Sequence, residues 1–112
     1  MPTKENPMTA NIVKKIKKMK IPCLKITRVV PGPYGGMKGT SDILLCYYGF
    51  FGAIEMKRED IKNPQPTPLQ KKYQEEVREA LGYTKVCNSF NSVMAALDEF
   101  KDIIKKRDPN IT

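Results

Sequence analysis

Gly39-Thr40-Ser41-Asp42-Ile43-Leu44-Leu45-Cys46-Tyr47-Tyr48-Gly49-Phe50-Phe51-Gly52-Ala53-Ile54-Glu55-Met56-Lys57 decides the fold. Ile43 to Tyr48 and Ala53 to Met56 are apolar runs bounded by glycine, the pattern of strands buried on both faces and folded into a β-hairpin. Asp42, Glu55 and Lys57 lie at the end away from the turn, where buried strands do not place charges without a reason. Side-chain alternation puts Glu55 and Lys57 on one face. A two-residue turn at Tyr48-Gly49 sets Asp42 opposite Glu55, and a turn at Gly49-Phe50 sets it opposite Lys57. Either register gathers an Asp, a Glu and a Lys on one face, because directly opposed residues share a face. A longer turn centred on Phe50-Phe51 moves Asp42 opposite Glu59 instead. Glycine's tolerance of positive φ favours the tight turn.

Two carboxylates roughly 5 Å apart raise each other's pKa unless a cation stands between them. A hard divalent cation such as Mg²⁺ takes oxygen ligands and binds through one or two carboxylates. With Lys57 as a fixed positive charge beside it, the set suits phosphodiester hydrolysis. The competing reading is a solvated Asp and a surface Glu–Lys pair flanking a structural hairpin.

Composition narrows the chemistry. The 112 residues predict one domain with a modest core, and oligomerisation is a reasonable way for so short an enzyme to add buried surface. A net charge of +8 points to a polyanionic partner. The absence of histidine excludes Ser-His and Cys-His nucleophilic schemes and histidine-bound metals. Cys23, Cys46 and Cys87 form no Cys-x-x-Cys pair, so buried free thiols are expected rather than zinc or disulfides. No run is long or apolar enough for a membrane span or secretory signal, which predicts a soluble, intracellular chain.

Met8, Ile12, Ile16 and Met19, with Val13 alongside, predict an amphipathic helix ending before Pro22. Its other faces carry Lys14, Lys15, Lys17, Lys18 and Lys20, either a solvated surface or a DNA-facing one. Glu5 falls on the stripe's side just outside the helix, with Pro7 at its first position. Cys23 to Val30 alternates as a strand with one wetter face. Pro31 to Gly39 is a Gly/Pro-rich loop that matches no P-loop, and Arg28, Tyr34 and Lys38 around it could meet a phosphate backbone. Thr67-Pro68-Leu69-Gln70 starts a helix with Thr67 as N-cap and Gln70 completing a capping box. Leu69, Tyr73, Val77, Ala80 and Leu81 are its expected buried stripe. Tyr83 to Cys87 is a fourth strand, and Ser89 or Ser92 caps a last helix with a stripe of Val93, Met94, Leu97, Phe100 and Ile104. The order predicts an α/β fold, αβββαβα, with a mixed four-stranded sheet flanked by helices and the fourth strand parallel to a neighbour.

Gly39-Thr40-Ser41-Asp42, Ile54-Glu55-Met56-Lys57 and Thr67-Pro68-Leu69-Gln70, in that order, resemble the PD-(D/E)XK nuclease superfamily and, more narrowly, the small stand-alone form of the VRR-NUC (virus-type replication-repair nuclease) family. The resemblance runs from about Glu5 to Phe100. It implies a restriction-endonuclease-like core and a Mg²⁺- or Mn²⁺-dependent DNA endonuclease. In that scheme Asp42, Glu55 and the backbone carbonyl of Met56 hold metal, and Lys57 positions the water. Glu5 assists from the first helix, and Gln70 orients the neighbourhood. Glu5 is otherwise an ordinary acid near a positive helix end, and Gln70 is otherwise only a cap. The resemblance further implies branched DNA as substrate, four-way junctions first, and a phage setting in a bacterial host cytoplasm. Paired cuts at a junction predict a homodimer, to which the Tyr47-Tyr48-Gly49-Phe50-Phe51 tip and the last helix could contribute unless a helix of the same chain buries that tip. Arg28, Tyr34, Lys38, Lys14 and Lys18 are the candidate DNA contacts. The competing classes are a non-catalytic basic DNA-binding module and a flap or nicking nuclease.

Overall fold

The computed structural model describes residues 5–30 and 41–111, with side chains from Pro7 onward. Its elements are α1 (Glu5–Met19), β1 (Leu24–Arg28), β2 (Ile43–Tyr47), β3 (Phe50–Met56), α2 (Pro68–Glu79), β4 (Tyr83–Cys87) and α3 (Phe90–Arg107), in the expected order. The strands form one sheet in the order β1-β2-β3-β4. The first three are antiparallel and β4 runs parallel to β3, as the crossover through α2 requires. Among the described residues no helix is long and apolar enough to cross a membrane.

The hairpin adopts the tighter register that centres on Tyr48-Gly49. Tyr48 (φ 52°) and Gly49 (φ 84°) both enter the left-handed region, the combination a two-residue primed turn needs. Tyr47 therefore pairs with Phe50 and Ile43 with Ile54. One step further along the same register sets Asp42 opposite Glu55.

One sheet face carries Ile26, Ile43, Leu45, Tyr47, Ile54, Met56, Tyr83 and Cys87, packed with Ile12, Val13 and Ile16 of α1 and Val93, Leu97, Phe100 and Ile104 of α3. Phe100 stacks on Tyr83 at 4.7 Å and meets Tyr47 edge-on. A Cβ at Gly52 would stand 2.6 Å from Leu45 Cδ1 and 2.8 Å from Phe100 Cε2, so glycine is what lets α3 close onto the hairpin. The opposite face is covered by α2 only over β3 and β4, where Arg78 of α2 donates to Thr84.

That partial cover corrects several expectations. β3 is buried from Gly52 to Met56, but β2 alternates, with Cys46 exposed, because among the described residues no helix lies over β1 and β2 on the α2 side. Cys23 and Cys46 are exposed thiols, and only Cys87 is buried. Helix α1 begins at Glu5 itself rather than after it. Its buried stripe is Thr9, Ile12, Val13 and Ile16, whereas Met19 sits past the sheet's reach and is half exposed. In α2 the buried residues are Gln74 and Val77; Leu69 and Leu81 face outward at the two ends of the helix, where the sheet no longer lies beneath. The aromatic hairpin tip is largely covered by its own chain. Tyr47 is buried against Phe100 and stacks with Tyr48, and the Arg107 guanidinium lies over Phe50, leaving Phe51 as the exposed ring.

Candidate active site

Asp42 is pinned from both sides at the open end of the sheet. Its backbone carbonyl accepts from Val29 N–H at 2.7 Å, and its Oδ2 accepts from Met56 N–H at 2.9 Å. The first contact ties it to the end of β1 and the second to the end of β3. A carboxylate accepting a backbone N–H makes a charge-assisted bond, stronger than a neutral one. A strand residue directs its N–H and C=O to the same edge. The Met56 carbonyl therefore leaves β3 on the side of Asp42.

Glu55 is buried within β3, only 3% exposed. Gln70 links it to Lys57: Gln70 Nε2 donates to Glu55 Oε1 at 2.8 Å, and Gln70 Oε1 accepts from Lys57 Nζ at 2.8 Å. The same Oε1 accepts from Thr67 N–H at 2.8 Å, while Thr67 Oγ1 accepts from Gln70 N–H, which completes the capping box. One amide thus both caps α2 and bridges Glu55 to Lys57. Its orientation is settled by chemistry, since only the oxygen can face two donors and only the nitrogen can face the carboxylate. The local sequence explains the placement. Thr67 and Pro68 begin α2 at a defined residue, which puts the third helical position over the end of β3.

Asp42, Glu55 with Gln70, and Lys57 are therefore gathered at one end of the sheet on the α2 side. The oxygen donors there are two carboxylates and one backbone carbonyl, a hard set that fits Mg²⁺ or Mn²⁺ and not a soft metal. Among the described residues no three His, Cys, Asp or Glu side chains cluster, so a cation would rely on those two acids, the carbonyl and water. The buried tyrosines and the one buried thiol are held in their protonated forms. Burial and the hydrogen bond to Glu99 push the Tyr83 hydroxyl far above its usual range, and burial pushes Cys87 up to about 11. Burial likewise raises Tyr47 and Tyr73.

The remaining expected residues are distributed differently. Glu5 opens α1, and its side chain, like the whole of Tyr34 and Lys38, lies outside the described residues. Arg28 ends β1 opposite Ile43, so it leaves the sheet on the core face and not on the face of Asp42 and Glu55. Lys25 and Thr27, which the sequence reading passed over, alternate onto the site's face and stay exposed. They border a shallow depression of about 200 Å³ with Leu44, Cys46 and Phe51. The strand alternation in Leu24–Arg28 was the available signal. Lys14 and Lys18 are exposed on α1, on the other side of the sheet.

Three helices around a mixed four-stranded sheet, with paired acids and a lysine at the end of the central strands, define an α/β fold of the restriction-endonuclease-like kind. The chain has the fold of a VRR_NUC domain. A solved structure described as "VRR_NUC domain" superposes with a TM-score of 0.64 at 21% identity, covering 88% of this chain and 99% of that one. No protein-family model matches the sequence, and no curated protein matches it.

Proposed function

We propose that this chain is a Mg²⁺- or Mn²⁺-dependent endonuclease of the PD-(D/E)XK type that hydrolyses phosphodiester bonds in branched DNA, with four-way junctions as substrate. The observation that carries the reading is the Gln70 amide, which holds buried Glu55 and Lys57 at a set spacing beside Asp42. A structural hairpin has no use for an acid 3% exposed and tied through an amide to a lysine.

Asp42, Glu55 and the Met56 carbonyl are the proposed ligands of the cation. When bound, such a cation stabilises charge on the phosphate and lowers the pKa of an attacking water. Lys57 has three N–H donors and gives one to Gln70. The others are available to orient water or to meet negative charge developing on the phosphate oxygens. Gln70 keeps Lys57 from collapsing onto Glu55, and Glu5 assists from the start of α1. The charge of +8 supplies affinity for the backbone, with Arg28, Tyr34, Lys38, Lys14 and Lys18 as proposed contacts. A homodimer provides two sites for the paired cuts of a junction, and a bacterial host cytoplasm is the proposed setting.

The test is to incubate labelled linear, flap and four-way DNA with the protein and Mg²⁺, Mn²⁺ or EDTA. Paired cuts in the four-way DNA, abolished by EDTA, are expected. Cutting confined to flaps or nicks would replace the junction reading. Binding without cutting of any substrate would leave a basic DNA-binding module and overturn the enzyme assignment.

A further inference from the structure

A second concave feature lies on the other face of the sheet. A groove of about 540 Å³ runs between α1 and the start of α3, and Asn11, Lys14, Lys15, Lys18, Glu59 and Phe90 line it. Its size falls within the roughly 300–1,000 Å³ typical of small-molecule sites. The ring of Phe90 forms part of its wall, with Lys15 Nζ held 4.7 Å from the ring centroid. Lys14, Lys15 and Lys18 lie within about one turn of one helix, where like charges three and four residues apart repel. Among the described residues none of the three is in an ion pair. The groove therefore combines an aromatic face with a concentration of positive charge whose one acidic lining residue, among the described residues, is Glu59.

We infer that this groove binds one nucleotide of an unpaired DNA strand, the base displacing the Lys15 ammonium from the face of Phe90, Lys14, Lys15 and Lys18 then holding the phosphate, and Glu59 accepting from an amino group on the base edge. Positive grooves with aromatic platforms are how single strands are held, because every base has a π-face while duplex bases are already stacked. A carboxylate in a phosphate site would be unfavourable, but beside a base it accepts from a donor such as the cytosine amino group. Glu59 lies two residues past Lys57, so the groove opens at the same end of the sheet as Asp42 and Glu55 but on the opposite face. Duplex DNA, with a persistence length of about 150 bp, does not fold round a sheet end. An unpaired strand leaving a branch point does. The inference rests on the reading that the substrate is nucleic acid, and it adds the class of strand, unpaired, and the residue that recognises it.

The test is equilibrium binding in EDTA, so that no cleavage is involved, of a short oligo(dC) and of an abasic oligonucleotide of equal length. The wild-type protein should bind oligo(dC) more tightly. Phe90→Ala should weaken oligo(dC) by about 5- to 150-fold, the range of one lost base stack, and leave the abasic strand unchanged. Phe90→Tyr should retain binding, whereas Phe90→Leu, which keeps the packing and loses the π-face, should behave as Phe90→Ala. Lys14→Ala should weaken both strands alike. Equal wild-type affinity for the two strands, or full binding by Phe90→Leu, would overturn the proposal. If the proposed nuclease reading fails, the metal-dependent cleavage assay fails while base-dependent binding in EDTA persists.

Discussion

Replacing Gln70 by alanine tests the bridge at the site without any assumption about activity. The substitution removes three hydrogen bonds of the side chain, to Thr67 N–H, Lys57 Nζ and Glu55 Oε1. Bonds to charged partners contribute about 1.5–3 kcal/mol each when buried. Gln70 and Lys57 are half-buried, so the lower end applies to both bonds, about 3 kcal/mol together, and the cap bond adds about 1 kcal/mol, for a loss of about 4 kcal/mol. Thr67→Ala removes only the capping contact to Gln70 N–H and should cost about 1 kcal/mol. For a domain of this size 1 kcal/mol corresponds to about 4 °C in Tm. Gln70→Ala should therefore melt about 16 °C below the wild type and Thr67→Ala about 4 °C below it. Paired thermal and urea melts provide the assay. Equal losses in the two variants would show that the Glu55 and Lys57 contacts contribute nothing and that Gln70 is a cap alone.

Three further outcomes are expected. Lys57→Ala should depress the cleavage rate with little effect on DNA affinity, because its contact strengthens in the transition state, whereas Lys14→Ala and Lys18→Ala should weaken binding and each reduce the salt slope by about 1; steady-state rates beside anisotropy titrations separate the two cases. Stability should fall above about pH 9. Cys87 and Tyr83 have raised folded pKa values, so their contribution is complete below the unfolded pKa and is lost as pH rises, by up to about 1.4 kcal/mol per pH unit per group. Urea melts at pH 8 and 10 would show it, and equal midpoints would contradict it. Sedimentation at micromolar concentration should show a twofold dimer, and a strict monomer on and off DNA would remove paired junction resolution.

Most of the layout was legible because it rests on periodicity and punctuation. Gly49 between two apolar runs marked the hairpin, Thr67-Pro68 marked the start of α2, and the stripe Val93, Leu97, Phe100 and Ile104 marked the packed face of α3. Burial at element ends was less legible. Met19, Leu69 and Leu81 continue their helical patterns, but the sheet beneath them stops, and no local signal carries that boundary. The same limit misled the reading of β2, whose apolar run resembles a doubly buried strand although α2 covers only β3 and β4. At the site, alternation together with the tight turn at Tyr48-Gly49 grouped Asp42 with Glu55. That Gln70 could cap its helix and bridge an acid to a lysine at once depends on the angle at which α2 meets β3, which one-dimensional spacing does not encode. Phe90 was passed over because it reads as ordinary core at the start of a helix. Its relation to Lys15 arises only when α1 packs beside α3.

Asp42 and Glu55 together are proposed to hold the cation on which cleavage depends. The most direct measurement is Mn²⁺ binding, by calorimetry or by electron paramagnetic resonance, to the wild type, Asp42→Asn and Glu55→Gln, with junction cleavage followed in the same preparations. The expected result is one class of Mn²⁺ site in the wild type that is lost in both variants, a fall of orders of magnitude in cleavage, and DNA affinity in EDTA that does not fall. Undiminished Mn²⁺ binding in either folded variant, or cleavage that persists in EDTA, would contradict it.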